Sequence, residues 1–383
     1  MIDRMLFQLK YINIIIKLVS NKSHWLFSGL LWLLMVLPVG AVELRVAVEK
    51  EVANLKVGSS TTAVVRDATG KAVGKLTPLS SLSARVQENQ ITIDDRLSGG
   101  ELIVEPENDG YVWIGDRWYR GRTRLIRQAE GITAINHVDL EQYLYSVVGA
   151  EAISTWPIEA LKAQAVAARS YALYKRNTGT NSFYDVDTTV GTQVYKGLDS
   201  EYTTTHEAVN GTLGQIMTYN NEVILAAFHS SSGGHTENVE DVWSSPLPYL
   251  RAVIDYDRQS PVFEWQQVIP VTKIQNLVAG IGIIKGLKPV QMTPYGRIVT
   301  MEVVGDRGTA TVSGKELRQA LELRSTLFRV STEGNNLRIK GRGFGHGLGL
   351  SQWGAYYLAK QGVDYHRILA HYYQNADLTQ LNK

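Results

Sequence analysis

Between residues 43 and 136 apolar and polar positions alternate over short runs. Leu44, Val46 and Val48 share one face, followed by Val64 and Val65, Ile91 and Ile93, 102–104 and 111–114. A period of two sends successive side chains to opposite faces of a strand, so this part predicts a β-rich region. Thr69-Gly70, Ser98-Gly99-Gly100 and Asn108-Asp109-Gly110 separate the runs as turn signals. From Asp139 the period changes: Leu140, Leu144, Val147 and Val148 recur at helical spacing up to Gly149. A second helix is predicted over 158–176, rich in Ala, Leu, Lys and Arg. Pro157 suits its first turn, where the missing N–H is not needed. The linker 151–156 is pinned between the two.

Farther along, 186–195 and 214–228 predict strands, the second ending in His229-Ser230-Ser231-Ser232-Gly233-Gly234-His235. Residues 265–335 read as a small inserted α/β subdomain, with a helix near 272–279, strands near 298–304 and 309–312, and a helix near 314–321. A glycine-alternating segment, 341–349, then leads into helices near 351–361 and 364–373. The fold class this predicts is α+β: an N-terminal β-rich region (42–136) and a mixed core (137–383) that carries the insertion.

Composition narrows the chemistry. The 383 residues are 44% hydrophobic and 20% charged, which excludes a disordered chain. Lys and Arg number 39 against 37 Asp and Glu, a net charge of +2 that argues against nucleic acid as a partner. With no cysteine, disulfides, thiol nucleophiles, iron–sulfur clusters and Cys-ligated zinc are excluded together. Phosphate-cradling glycine loops of the P-loop or dinucleotide type are absent. No cofactor or metal is expected, and catalysis falls to oxygen and imidazole groups.

Arg4, Lys10, Lys17 and Lys22 precede an apolar run over 26–37, then Pro38, Gly40 and Ala41. That order is a secretory signal peptide with cleavage after Ala41, or an uncleaved anchor. Either reading puts the body of the protein outside the cytoplasm, in the periplasm or cell wall, with membrane contact through this segment alone.

Four constellations could carry chemistry. Glu151 lies in an otherwise apolar stretch with Val147, Val148, Ala152, Ile153 and Trp156. A desolvated carboxyl there holds its proton to higher pH, as a general acid must; a helix-end salt bridge is the plain alternative. Lys162 and Arg169, seven apart, share a helix face and either bind an anion or form a solvated basic stripe. Ser230, Ser231, Ser232, Gly233 and Gly234 could converge on a sugar or an oxyanion, or simply turn the chain. A serine hydrolase is the tempting reading of these serines, but no Gly-x-Ser-x-Gly elbow accompanies them. In 341–349 every second residue is glycine, which in an extended chain leaves one face bare and sends His346 to the other. Ser351 sits where it would cap the next helix, with Gln352 and Trp353 in its first turn.

The stretches Val147-Val-Gly-Ala-Glu151, Trp156-Pro through Arg169-Ser-Tyr-Ala172, Gln193-Val-Tyr195, Ser230 through Glu237 with Trp243, and Gly345-His-Gly-Leu-Gly-Leu-Ser-Gln-Trp-Gly-Ala355 resemble, in order, the stage II sporulation protein D (SpoIID) / LytB amidase-enhancer family. The resemblance runs from about residue 44 to 375. It implies a SpoIID-like core and lytic cleavage of peptidoglycan glycan strands stripped of stem peptides, with an N-acetylmuramoyl-L-alanine amidase as a candidate partner. It also implies a non-catalytic, wall-binding amidase enhancer as the alternative. Carried over position by position, Glu151 is the catalytic acid/base, and Lys162 and Arg169 position substrate or tune it. Ser230 through Gly234, His346, Ser351 and Gln352 become groove walls. Some relatives hold zinc through cysteines near the Gln-Val-Tyr region, and this chain has none.

Overall fold

A computed structural model describes residues 42–381 other than 130, 190, 244 and 276. The segment 1–41, expected to be a signal peptide or an anchor, lies outside the described residues. Among them no helix is long and apolar enough to cross a membrane.

The alternating N-terminal pattern becomes two sheets. One has seven strands in the spatial order Val186–Asp187, Glu43–Val52, Gly131–Asp139, Arg122–Gln128, Glu101–Pro106, Ala63–Asp67 and Ala72–Leu76. The other has six, built around Asn54–Ser59 and Ser81–Gln87. Leu44, Val46, Val57, Ile91, Ile93, Leu102, Val104 and Ile114 are fully enclosed, as expected for strands with one buried face. Gly131–Asp139 is buried along nearly its whole length. Its Asn136 receives the Tyr195 hydroxyl at 2.8 Å.

The helices are α1 (Leu140–Glu151), α2 (Ile158–Thr178), α3 (Thr203–Asn210), α4 (Val239–Val242), α5 (Thr272–Gln275), α6 (Gly314–Ala320), α7 (Gln352–Lys360) and α8 (Tyr365–Tyr372). Asp139 caps α1 by accepting from the Glu141 and Gln142 N–H groups at 2.9 and 3.1 Å, two of the donors a helix start leaves free. The capped strand-to-helix junction aims α1 so that Glu151 is its last residue. Residues 160–161 and 163–173 of α2 are buried on every side; a helix so enclosed is a central strut. Its Ala163, Val166 and Ala167 join Ile224, Leu250, Leu348, Leu350, Ile368 and Tyr373 in one core.

Three expectations change. In 186–195 only Val186–Asp187 is a strand; the rest is irregular and tied by side chains, with Gln193 Nε2 donating to the Ala168 carbonyl at 3.1 Å. The expected strand 214–228 is broken after Gln215–Tyr219, because Asn220 and Asn221 take positive φ (51° and 64°) in a two-residue hairpin turn. The helix expected over 272–279 is the single turn α5.

Residues 264–342 carry two three-stranded sheets, Glu264–Pro270/Asn336–Arg342/Phe328–Glu333 and Ile284–Met292/Ile298–Gly305/Thr309–Ser313. They have their own hydrophobic cluster, including Ile274, Met301, Val303, Leu317, Leu337 and Ile339.

Candidate active site

Glu151 is half-buried at the end of α1. Its Oε1 accepts the Val194 N–H at 2.7 Å, so the irregular 188–196 segment closes over the carboxyl. Burial pushes this group above the ordinary glutamate value; the Val194 N–H, the Gln352 amide and the Lys196 ammonium pull it part of the way back. Beneath lies Tyr143, fully buried, its hydroxyl donating to Gln193 Oε1 at 3.0 Å. Gln352, in the first turn of α7, is itself buried and its Nε2 reaches Gln164 Oε1 at 3.4 Å. The next residue, Trp353, donates its backbone N–H to the Ser230 carbonyl at 3.0 Å.

Four half-buried aromatic rings stand at this end of α7. Trp156 meets Trp353 at 4.9 Å and Tyr356 at 5.2 Å between centroids, Trp353 meets Tyr356 at 5.3 Å, and Tyr356 meets Tyr357 at 4.8 Å. The structure therefore gathers a carboxyl shifted toward its protonated form, an amide beside it, an exposed lysine and an aromatic surface.

Other expected site residues have structural work instead. Arg169 is 0% exposed. Its Nε and Nη2 grip Glu141, Nη1 donates to the Gln215 carbonyl at 3.0 Å, and further bonds reach Thr212 and the Val209 carbonyl. All faces of the guanidinium are enclosed, so the expectation that it contacts substrate is corrected. Lys162 is held by Glu159 at 2.8 Å and lies over the Tyr365 ring. The two cations do not form one shared site: Arg169 is enclosed among the helices, whereas Lys162 stays half-exposed in its ion pair.

The serines divide. Ser230 is half-buried and stays beside Trp353. Ser231 and Ser232 are fully buried and donate their hydroxyl protons to Asp257 and Asp255. Enclosed in this way, neither hydroxyl can meet a substrate, which takes Ser231 and Ser232 out of a serine-hydrolase reading. The Gly233 N–H also donates to Asp257, at 2.8 Å; burial and the Asp255 charge push Asp257 up to about 6. Gly234 is half-buried, and its carbonyl accepts the Asp255 N–H at 3.1 Å.

Residues 341–349 are not the extended ribbon expected. Gly343, Gly345, Gly347 and Gly349 all have positive φ, and a Cβ on Gly347 would stand 2.3 Å from the Arg297 guanidinium. That buried guanidinium donates to the Ser232 carbonyl at 2.8 Å and approaches Glu237 at 3.7 Å. His346 accepts the Leu348 N–H on Nδ1 and donates from Nε2 to the Phe228 carbonyl at 2.9 Å. Burial and Arg297 lower it to about 3, so it is neutral and locked as a brace. Ser351 is buried and caps α7 through the Gly354 N–H at 3.3 Å; it is a helix cap, not a groove wall. Among the described residues, no group of three or more His, Asp or Glu side chains is placed to hold a metal.

Sequence reasoning missed Lys196, Val194, the Tyr356–Tyr357 pair and the Asp255/Asp257 pair. Only the aromatic run beside Trp353 left a local trace; the others matter through partners far away in the chain.

A family model described as Stage II sporulation protein (SpoIID) matches residues 128–219, which contain α1, α2 and the 188–196 segment. The Stage II sporulation protein D of Bacillus subtilis is 34% identical over 272 residues, 64% of this chain and 76% of that protein. The chain belongs to the SpoIID family. An uncharacterized protein of Brachyspira hyodysenteriae is 30% identical over 318 residues, 79% of this chain and 85% of the relative. The amidase enhancer of B. subtilis is 31% identical over 291 residues, 62% of this chain but 40% of its own length. A second model, a domain of unknown function (DUF8618), matches residues 257–349. In this SpoIID-family chain the matched segment supplies the carboxyl, while Gln352 and the aromatic surface come from beyond it.

Proposed function

We propose that this protein is a peptidoglycan lytic transglycosylase acting on glycan strands freed of stem peptides. The observation that carries this reading is the Glu151 carboxyl, desolvated and steadied on one oxygen by the Val194 N–H. Ordinary glycosidases use two carboxyls. Here one suffices, because the substrate brings its own nucleophile. Protonated Glu151 gives its proton to the leaving O4 of N-acetylglucosamine as the C1–O4 bond of the muramic acid residue breaks. The C6 hydroxyl of the same residue then attacks C1, and its proton returns to Glu151. The product is a 1,6-anhydro sugar, no water is consumed, and the acid is regenerated. Pyranose rings have C–H-rich faces that pack on aromatic rings, a role suited to Trp156, Trp353 and Tyr356.

On this reading residues 137–383 are the catalytic core, 42–136 a structural β region and 265–335 an insertion. The body of the protein works in the periplasm or cell wall, where its polymer is. Glu151→Gln should lower release of 1,6-anhydro products from denuded strands by about 10²-fold or more; release at the parental rate rejects the reaction.

The similarity to an amidase enhancer favours a second reading, in which the protein docks glycan for an amidase and cuts nothing. In that case Glu151→Gln stimulates the amidase as well as the parent does.

A further inference from the structure

The outer face of the sheet Glu264–Pro270/Asn336–Arg342/Phe328–Glu333 has an unusual charge arrangement. Arg329 lies directly across from Lys340, which lies across from Gln266; Arg342, two residues along, lies across from Glu264. Alternation puts Lys340 and Arg342 on one face, and all three cations are exposed. Directly opposed like charges destabilise an antiparallel pair. Arg338 on the same face is matched by the Glu333 carboxylate. Arg329 and Lys340 make no close ion pair among the described residues, although the Glu333 carboxylate also feels the Lys340 charge. The fold thus retains a local repulsion that any neutral residue at either position would relieve.

These cations form one wall of a groove of about 1280 Å³. A second, mostly apolar part of the lining is Pro289, Met292, Pro294 and Tyr295, while Glu264 and Gln266 join the cations. Met292 and Tyr295 are 50% and 40% exposed. Tyr295 also stacks on His235 at 3.6 Å, which ties this wall to the serine–glycine loop of the core.

We propose that the groove is a second glycan-binding site, which takes a carboxylate-bearing sugar strand with its ring faces on the Pro289–Tyr295 side and its carboxylates on Arg329 and Lys340. This rests on the reaction proposed above and names where the strand is held outside the cutting site. The two walls choose the ligand. A strand freed of peptides exposes one lactyl carboxylate per muramic acid and has apolar ring faces, so it satisfies both. A poly(glycerol phosphate) satisfies the cations but brings no flat apolar face to the other wall.

The test is binding of labelled, amidase-treated glycan strands to the full chain carrying Glu151→Gln, with and without Arg329→Gln and Lys340→Gln. The double replacement should weaken binding at least tenfold, and methyl esterification of the strand carboxylates should weaken binding to the parent equally, with no further loss in the double variant. Both positions are exposed, and a thermal melt no lower than the parent's verifies folding; Lys340→Gln alone, expected to lose about half the effect on a logarithmic scale, serves if the double variant misfolds. Binding within twofold of the parent, full affinity for esterified strands, or displacement by poly(glycerol phosphate) at lower monomer concentration than by unlabelled strands overturns the proposal. Strand cutting by Glu151→Gln is scored separately. Should that variant cut normally while the double variant still binds tenfold more weakly, the reaction falls and the groove stands.

Discussion

Arg169 and Glu141 are joined by two parallel bonds, Nε to Oε1 at 2.8 Å and Nη2 to Oε2 at 2.6 Å, across the contact between α2 and α1. Such bidentate geometry fixes direction as well as distance. The pair therefore sets how the helix ending in Glu151 lies against the central strut.

Removing one partner of a buried ion pair strands the other. Arg169→Gln should cost about 3 kcal/mol of stability, read as a lower midpoint in urea. Arg169→Lys, which cannot reproduce the fork, should recover only part of it. A purely substrate-binding arginine would leave the midpoint in place and raise KM.

The pH profile follows from the environment of Glu151. The acid must begin protonated, so kcat/KM falls as pH rises through its raised pKa. Lys196→Gln or Gln352→Leu removes a group that favours the carboxylate, and the alkaline limb should move to higher pH. A limb that stays put assigns it to another group. The same shift acts on stability: a carboxyl with a folded pKa above its unfolded one loses stability as pH climbs through that interval. Glu151→Gln should thus melt above the parent at pH 8 and level with it at pH 4.

Asp257 gives a second pH effect. It is fully buried beside Asp255 and lies at about 6, against about 4 in an unfolded chain. Its stabilising contribution is present below pH 4 and is lost as pH rises through 6. Calorimetry from pH 4.5 to 7.5 should show Tm falling by a few degrees, at roughly 2–4 °C per kcal/mol. Asp257→Asn should flatten that slope.

In an exposed helix interior, Gly→Ala stabilises by about 1 kcal/mol. Gly354 in α7 should do the opposite. A Cβ there would lie 1.9 Å from Asp255 Oδ1 and 2.0 Å from the Tyr372 hydroxyl, two groups bonded to each other at 2.7 Å. Gly354→Ala should destabilise by about 2 kcal/mol, measured by thermal melting.

The aromatic surface makes a kinetic prediction. Trp353→Ala removes a ring contacting both Trp156 and Tyr356, with about 1 kcal/mol of aromatic contact. We expect roughly a fivefold rise in KM for glycan strands with kcat nearly unchanged; unchanged KM would separate this surface from substrate.

Regular elements were legible where one local pattern decided them. The period-two runs before Asp139, the change of period there, the helix from Ile158 and Ser351 as the start of α7 all appear as read. The helix α3 was not legible: three threonines open it, and β-branched residues are weak helix formers. The acid itself was visible from its apolar neighbours. Gln352 and the Gln193-Val-Tyr195 stretch were named through the family resemblance alone, and their contact with Glu151 was not legible, because Val194 and Gln352 reach it from 43 and 201 residues away in the chain. Arg169 and Lys162 were misplaced for a related reason: a seven-residue spacing shows that two side chains share a helix face and says nothing of what covers it. The glycine run was read as an extended face because composition does not report the sign of φ.

The strands of 264–342 leave and rejoin the rest of the chain at one point, where the Gly343 N–H donates to the Phe263 carbonyl at 2.7 Å. Topologically, then, 264–342 could be lifted out and the ends sealed by a short turn. Energetically it is a cork. Arg297 passes from this segment to the Ser232 and Gly345 carbonyls and toward Glu237, whose Oε1 also accepts the Thr293 hydroxyl at 2.8 Å. A protein shortened in this way would lose the braces on the Ser232 and Gly345 carbonyls together and turn Glu237 toward water, so what remains should melt below the full chain.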